Sequence, residues 1–235
     1  MMNKQNQEGT IFGSLLTMAA GSIDAYSYLF HNHVFAGLQT GNIILLGINF
    51  GNYNWDNCLK YSISILAFFI GTLIIRILQR VILPNEKANI RRNVILLYEI
   101  IALLIISIVS NVISNYWSTI LLSFVAAAEL QEFRRLNGGP FTPLMMTGNV
   151  RTLAETTFDF MILHDKIAKK RFINTAMIMI TFAIGAAAIA FFKSLLNSYS
   201  IIVPAIILVF DTVILNWKTD HNILQKLEIY KHRNK

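Results

Sequence analysis

Six stretches of roughly twenty mostly apolar residues dominate the chain and constrain its fold more than any other feature. A helix needs about 20 apolar residues to cross a hydrocarbon core of about 30 Å. Backbone polar groups cannot stay unpaired in lipid, so each stretch is predicted to be a helix. The predicted spans cover about 11–30, 59–78, 94–113, 117–133, 172–192 and 199–217.

The composition excludes several classes of protein. Hydrophobic residues make up 54% of the chain and charged residues 14%, against a usual charged share of about 25%. A disordered chain, a nucleic-acid-coating protein and an ordinary soluble enzyme are therefore excluded. The single cysteine, Cys58, excludes a disulfide framework and a zinc site built on several thiolates. We expect membrane lipid as a partner, and no nucleic acid, cofactor or metal.

The basic residues predict how the spans are oriented. Lys and Arg cluster in 76–92, in 166–171 and in 218–235, whereas the other connections carry almost none. Positive charge accumulates on the cytoplasmic side of membrane proteins. The pattern therefore predicts six spans with both termini in the cytoplasm, and residues 218–235 as a basic cytoplasmic tail.

Two further segments, 31–51 and 137–164, are too polar and too rich in glycine or proline to be simple spans. Each contains the tripeptide Thr-Gly-Asn, at Thr40, Gly41 and Asn42 in the first segment and at Thr147, Gly148 and Asn149 in the second. A short apolar run follows the first tripeptide, and a mixed run follows the second. Gly and Pro stop helices, and Thr or Asn can cap the next one. Each segment therefore predicts a helix break and a short helix, which either re-enters the membrane or continues a kinked helix.

The two tripeptides belong to a longer internal repeat. An acidic residue in apolar surroundings precedes each of them, Asp24 in the first case and Glu129 in the second. Ile70-Gly71 in the second span also resembles Ile184-Gly185 in the fifth. Three spans in each half make the halves face opposite ways. The predicted fold is an all-α six-helix membrane bundle of two inverted repeats, 1–113 and 114–217, each with a broken or re-entrant helix.

Four short segments of the sequence carry a family resemblance. Residues 21–25, 35–42, 130–131 and 147–151 read GSIDA, FAGLQTGN, LQ and TGNVR. This pattern resembles the YoaK family of bacterial multi-pass membrane proteins, a domain of unknown function. The resemblance covers nearly the whole chain and implies a six-helix protein of the bacterial cytoplasmic membrane. It implies no substrate.

Acidic residues inside predicted spans are the strongest candidates for function. Placing a charge at the centre of a membrane helix costs about 2.5–3.5 kcal/mol on insertion scales. Asp24 is either a proton, cation or ligand site or the acceptor of a structural hydrogen bond from Asn42 or Asn149. Glu129 and Asp211 lie at comparable depths. Glu99 is expected nearer the cytoplasm, paired with Arg91 or Arg92.

The Thr-Gly-Asn segments supply the second group of candidates. A half-helix N-terminus carries about half a positive charge, so two such ends meeting in the membrane could hold a polar or anionic solute. Arg151 would strengthen anion binding or reach cytoplasmic water. Alternatively, the glycines serve tight helix packing and the asparagines bond across it. The predicted solute-binding residues are Asp24, Thr40, Gly41, Asn42, Glu129, Gln131, Thr147, Gly148, Asn149 and Arg151.

The function predicted from these features is a small secondary transporter or permease for a small polar or anionic solute. A membrane scaffold or partner-binding protein is the first alternative, and a homodimer is left open. An intramembrane lipid-modifying enzyme using Glu129, Glu132 and Arg134 is the second. No catalytic motif is present in the sequence, so no catalytic residues are assigned and the chain is not expected to be an enzyme.

Overall fold

The computed structural model describes residues 9–136, 139–141 and 143–233, with the backbone alone for 135–136, 139–140 and 218–233. These residues form eight α-helices and three short helical turns. The helices are α1 (Thr10–Phe30), α2 (Gln39–Gly51), α3 (Trp55–Ile77), α4 (Ala88–Val109), α5 (Asn115–Glu132), α6 (Met146–Met161), α7 (Lys166–Leu196) and α8 (Ile202–Arg233).

Short elements complete the chain path between these helices. A π-helical turn, Leu78–Ile82, extends α3, and a 3-10 turn, Asn85–Lys87, precedes α4. A second 3-10 turn, Asn197–Ile201, joins α7 to α8. The two-residue strands β1 (Arg135–Leu136) and β2 (Gly139–Pro140) pair antiparallel in the connection between α5 and α6.

The all-helical fold predicted from the apolar stretches is confirmed within the described residues. Helices α1, α3, α4, α5, α7 and α8 cover the six predicted stretches. In the part of the chain that the structure describes, three helical segments are both long and apolar enough to cross a membrane, namely Trp55–Ile82, Asn85–Val109 and Lys166–Trp217. The last segment contains α7 and the first part of α8. Six separate spans and an inverted repeat remain predictions.

Helices α1 and α5 differ from α3 in how much of each helix is buried. Both lie in the interior, with 13 buried residues in α1 and 10 in α5. In contrast, α3 presents an outward face that includes the exposed side chains of Leu66, Phe69 and Leu73. A helix shielded by other helices can carry polar residues, whereas a helix that faces lipid must be apolar.

Close glycine contacts fix two parallel helix pairs. In the α1–α7 pair, a Cβ at Gly21 would overlap the Phe182 carbonyl and one at Gly185 would overlap the Met18 carbonyl. In the α3–α5 pair, a Cβ at Gly71 would lie 2.9 Å from side-chain atoms of α5. Gly71 and Gly185, the two glycines of the similar Ile-Gly pairs, therefore both lie at close helix contacts. Each pair joins one helix from either half of the chain.

The remaining contacts follow the same pattern. Helix α1 also packs on α8, and α5 also packs on α4. The short helix α2 packs on α3, whereas the short helix α6 packs on α7. Helices α4 and α8 contact each other. The same helix contacts result when α1, α2, α3 and α4 are exchanged with α5, α6, α7 and α8, respectively. This is the relation expected of two similar halves.

The chain turns back into the bundle before each short helix. A Cβ at Gly37, just before α2, would lie 2.5 Å from the Leu144 side chain, just before α6. Ala36, Phe141 and Leu144 are all buried and belong to the main apolar core. The two interruptions of the helical pattern therefore meet inside the bundle.

Candidate functional site

The carboxylate of Asp24 lies at the start of α2. Its Oδ1 accepts hydrogen bonds from the backbone N–H groups of Gly37 at 2.7 Å and Leu38 at 3.4 Å. Asp24 is 4% exposed, and its Oδ2 has no hydrogen-bond partner among the described residues. A carboxylate of α1 thus satisfies free amides at the positive end of a short helix.

The way α2 begins corrects the sequence interpretation of its first motif. The sequence predicted that Thr40 or Asn42 caps the short helix. The N-cap residue is instead Leu38, and its side chain makes no capping hydrogen bond. Thr40 is exposed within the first turn, and Gly41 lies beside the Phe35 ring. The helix begins one residue before the motif, so the acid of α1 takes the role assigned to Thr or Asn.

Asn42 is the centre of a buried polar network. Its Oδ1 accepts from the Phe35 N–H at 3.0 Å, and its Nδ2 lies 2.8 Å from the Phe35 carbonyl. The same Nδ2 contacts Gln39 Oε1 and Ser64 Oγ, both at 3.0 Å. Ser64 in turn lies 3.0 Å from Ser123 Oγ on α5. The network ties α2 to α3 and to the second half of the chain.

Two members of this network, Ser64 and Ser123, were not among the predicted site residues. Both are fully buried. A serine inside an apolar span is a weak signal, because its hydroxyl can bond to the carbonyl one turn earlier on its own helix. A polar residue inside an apolar stretch could have marked each serine as a candidate. The sequence could not have shown that the two serines contact each other.

The second motif has different surroundings although its three residues are identical. Thr147 and Gly148 are exposed, and the Asn149 Nδ2 contacts the Met146 sulfur at 3.6 Å. The N-cap residue of α6, Met145, provides no side-chain cap either. The first turn of α6 therefore lies open where that of α2 is enclosed.

Arg151 does not face the interior. Its guanidinium is 81% exposed and pairs with the exposed carboxylate of Glu155 at 3.2 Å, one turn along α6. The expectation that Arg151 strengthens a central anion site is therefore corrected. The position agrees with the alternative of a side chain reaching water at the end of the bundle.

Three further acids lie inside the bundle with Asp24. Glu99 on α4, Glu129 on α5 and Asp211 on α8 are each fully buried. Glu99 interacts electrostatically with Glu129 and Asp211, and Glu129 interacts with Asp24. Neither carboxylate oxygen of Glu129 has a hydrogen-bond partner among the described residues. The four helices α1, α4, α5 and α8 thus bring four buried carboxyl groups together away from water.

Glu132, rather than Glu99, pairs with the basic residues at the start of α4. Glu132 Oε2 accepts from Arg91 Nε at 2.7 Å and from Gln79 Nε2 at 2.9 Å. Gln131, a predicted solute-binding residue, donates to Gln79 Oε1 at 3.0 Å. The predicted pairing of Glu99 with Arg91 or Arg92 is corrected, because Glu99 faces the neighbouring helices instead. Gln131 belongs to this ion-pair cluster at one end of the bundle.

The interior favours positive charge over negative charge. Carboxylates buried without partners are costly, and binding a proton or a cation removes that cost. An anion at the start of α2 would have to displace Asp24, which already occupies its amides. Within the described part of the chain, His, Cys, Asp and Glu form no group of three spaced to hold a metal ion.

The contrast between the two motifs gives a direct stability test. Replacing Asn42 with alanine leaves the Phe35 amide, Gln39 and Ser64 without their shared partner inside the bundle. We expect the free energy of unfolding to fall by about 2 kcal/mol. The matched change Asn149→Ala removes only a weak contact and is expected to cost less than about 0.5 kcal/mol. Thermal unfolding in one detergent measures both; equal losses would contradict the described difference.

Comparison with known proteins places the chain in a wider group. The family model described as "Protein of unknown function (DUF1275)" matches residues 12–214. The "UPF0700 transmembrane protein YoaK" of Bacillus subtilis (strain 168) is 36% identical over 61 residues, which are 26% of this chain. The match spans 27% of that relative's length. No solved structure matches.

Proposed function

The chain belongs to the DUF1275 family of transmembrane proteins, and from its interior we propose that it is a small secondary transporter. The solute site lies between the two interruptions, at residues 37 and 144, beside the acids of α1 and α5. One observation carries the proposal: the two turns meet inside the bundle, where Asp24 binds the Gly37 amide and keeps an Oδ2 that has no hydrogen-bond partner among the described residues.

Two inverted halves provide the framework for this transport. Two observations support inverted halves. The helix contacts are the same when the helices of one half are exchanged with those of the other, and the pairs α1–α7 and α3–α5 are both parallel. With three long helices in each half, the repeats face opposite sides of the membrane. Basic residues at the starts of α4 and α7 lie at one end of the bundle, which supports cytoplasmic termini.

The proposed solute class differs from the one that the motifs alone suggested. The carboxylates favour a proton together with a cationic or hydrogen-bond-donating solute, rather than an anion. Asp24 and Glu129 are the proposed coupling residues, since each is buried and belongs to the first long helix of its half. Asn42 and Ser64 hold α2 against α3 and set the wall of the site.

The difference between the two short helices suggests how access alternates. The start of α2 is held by Asp24, whereas the start of α6 is not held by Glu129. In the proposed cycle α6 docks on Glu129 while α2 leaves Asp24. Each carboxylate is then exposed to one side of the membrane in turn. The positive helix ends supply the attraction for either docked state.

Proton-coupled flux in proteoliposomes tests the proposal. Vesicles loaded with a pH-sensitive dye receive a panel of organic cations and neutral polar solutes, and the variants are Asp24→Asn and Glu129→Gln. Asparagine retains an oxygen that accepts from Gly37, so the first variant removes the charge while keeping the cap. We expect a solute that moves protons with the wild type and loses most of that flux in both variants.

Glu155→Gln is the matched control, because Glu155 is an exposed acid on α6, and its flux is expected to equal that of the wild type. Proton movement that no solute elicits, or wild-type flux in both interior variants, would contradict transport.

A partner-binding scaffold is the second candidate. The saturated contacts of Asn42 and the binding of Asp24 to the 37–38 backbone favour it, since a well-packed centre needs no solute. The enzyme alternative receives less support. The Glu132 carboxylate is already engaged by Arg91 and Gln79.

A further inference from the structure

A polar cleft of about 580 Å³ opens at the end of the bundle opposite the Arg91–Glu132 cluster. It lies where α1 ends, where α4 turns into α5, and where α7 meets α8. Four asparagines, three serines and His31 line it, together with three apolar or aromatic residues. The volume is within the range of about 300–1,000 Å³ that is usual for small-molecule sites.

The chemistry of this cleft differs from that of the interior acids. None of the residues that line it is charged. Amide and hydroxyl groups both donate and accept hydrogen bonds, so they match the mixed donors and acceptors of a hydroxylated ligand. The ring of Tyr116 adds an apolar surface of the kind that packs against a sugar ring or carbon chain.

His31 lines the cleft as a buried, uncharged imidazole. It is 3% exposed, and its Nδ1 lies 3.1 Å from Asn115 Oδ1, so Nδ1 carries the hydrogen and donates it. Nε2 has no hydrogen-bond partner among the described residues. Burial lowers the pKa of the His31 imidazole below its usual value, which keeps Nε2 an acceptor at neutral pH.

The cleft is built from strained and bonded segments rather than from loose loops. Asn32 and Asn197 have φ values of 55° and 51°, in the left-handed region that non-glycine residues rarely adopt. Ser198 donates to Asn111 Oδ1 at 2.6 Å, and Tyr26 donates to the Ser198 carbonyl at 2.9 Å. Backbone strain of this kind persists only where the surroundings impose it.

We propose that this cleft binds a neutral polyhydroxylated small molecule of about the size of a mono- or disaccharide. The surrounding asparagines and serines supply paired donors and acceptors, and Tyr116 supplies an apolar surface for a ring or carbon chain. The proposal does not rest on transport, because the cleft is separate from the interior acids and binding needs no gradient.

Binding to the purified protein in nanodiscs tests this inference. The protein is prepared without any maltoside or glucoside detergent, because such detergents would compete for the cleft. The soluble probes are maltose and sorbitol, with gluconate and glucosamine as charged counterparts. A second arm places a monoglucosyl diacylglycerol in the nanodisc, which distinguishes a lipid-borne sugar from a free one. Calorimetry is expected to detect one of the neutral ligands and to find the charged counterparts weaker.

The double variant Asn32→Gly/Asn197→Gly deletes two lining amides at positions where glycine adopts the required φ without strain. Binding of the neutral ligand is expected to weaken about tenfold. His164→Gly is the matched control, because His164 also has a positive φ, 55°, but lies outside the cleft. Absence of binding by every neutral probe, preference for a charged one, or unchanged binding in the double variant would overturn the proposal.

Discussion

Replacing Glu132 with alanine is expected to lower the free energy of unfolding by about 3–5 kcal/mol. The Glu132 carboxylate and the Arg91 guanidinium are only 1% and 6% exposed, and their atoms approach to 2.7 Å. Removing the acid leaves a buried cation that still donates to the Leu83 carbonyl. Gln79 Nε2 also loses one of its two acceptors and keeps the Gln131 carbonyl. Chemical unfolding of the purified protein in mixed micelles measures the loss.

Glu155→Ala is the control for this experiment, because it removes an acid from an ion pair in contact with solvent. The Arg151 and Glu155 side chains are 81% and 57% exposed, and such pairs contribute less than about 1 kcal/mol. The Glu132 variant should therefore lose at least three times as much stability as the Glu155 variant. Similar losses would mean that Arg91 and Glu132 are not buried together at the end of the bundle.

Gly185→Ala is expected to destabilise the protein by about 3 kcal/mol. The new methyl group would overlap the carbonyl oxygen of Met18 and lie 2.9 Å from Ser22 Oγ. A backbone oxygen within a helix cannot turn aside, so α1 and α7 would have to separate. Ser22 would then lose its 3.0 Å hydrogen bond to the Gly185 carbonyl. Thermal unfolding reports the change.

Gly47→Ala is the matched substitution. Gly47 is also helical, but a Cβ there meets nothing within 4 Å. Alanine favours the helix over glycine by about 1 kcal/mol, so this variant should be as stable as the wild type or slightly more so. A Gly185 variant with wild-type stability would show that α1 and α7 do not approach closely at this point.

The sequence predicted the helices well because lipid leaves the backbone few choices. Each apolar stretch became a helix, and the glycine- and proline-rich segments became the turns before α2 and α6. The small residues Gly71 and Gly185, noted as a repeat, do lie at close helix contacts. These features depend on local composition and periodicity, which a single chain displays.

The partners of the polar residues could not be predicted to the same extent. Glu99 was expected near the cytoplasmic end of its span, within reach of Arg91 or Arg92, but Arg91 contacts Glu132 from another helix. Asn42 and Asn149 occur in identical tripeptides, yet only Asn42 is fully buried. Whether a side chain is buried between helices depends on how the helices pack, and the tripeptide alone does not determine that packing.

The start of α2 illustrates the same limit. Asp24 and Asn42 were predicted as site residues, and both do lie at this helix start. Their roles differ from the expected ones, because Asp24 binds the amides of Gly37 and Leu38 while Asn42 closes the turn through Phe35. The residue types indicated a polar interior, and the folded chain decided which group occupies the helix end.

Crosslinking in native membranes tests most directly whether the two interruptions meet inside the bundle. The protein for this experiment carries Cys58→Ser, Gly37→Cys and Leu144→Cys. It is treated with a short bifunctional thiol reagent and digested, and the crosslinked peptides are identified by mass spectrometry. The control pair joins Gly37→Cys with Met161→Cys at the far end of α6, about 24 Å along its 16-residue length. We predict an efficient crosslink within one chain for 37 and 144, and none for 37 and 161. A 37–144 pair that fails to crosslink, or that crosslinks only between two chains, would contradict the account.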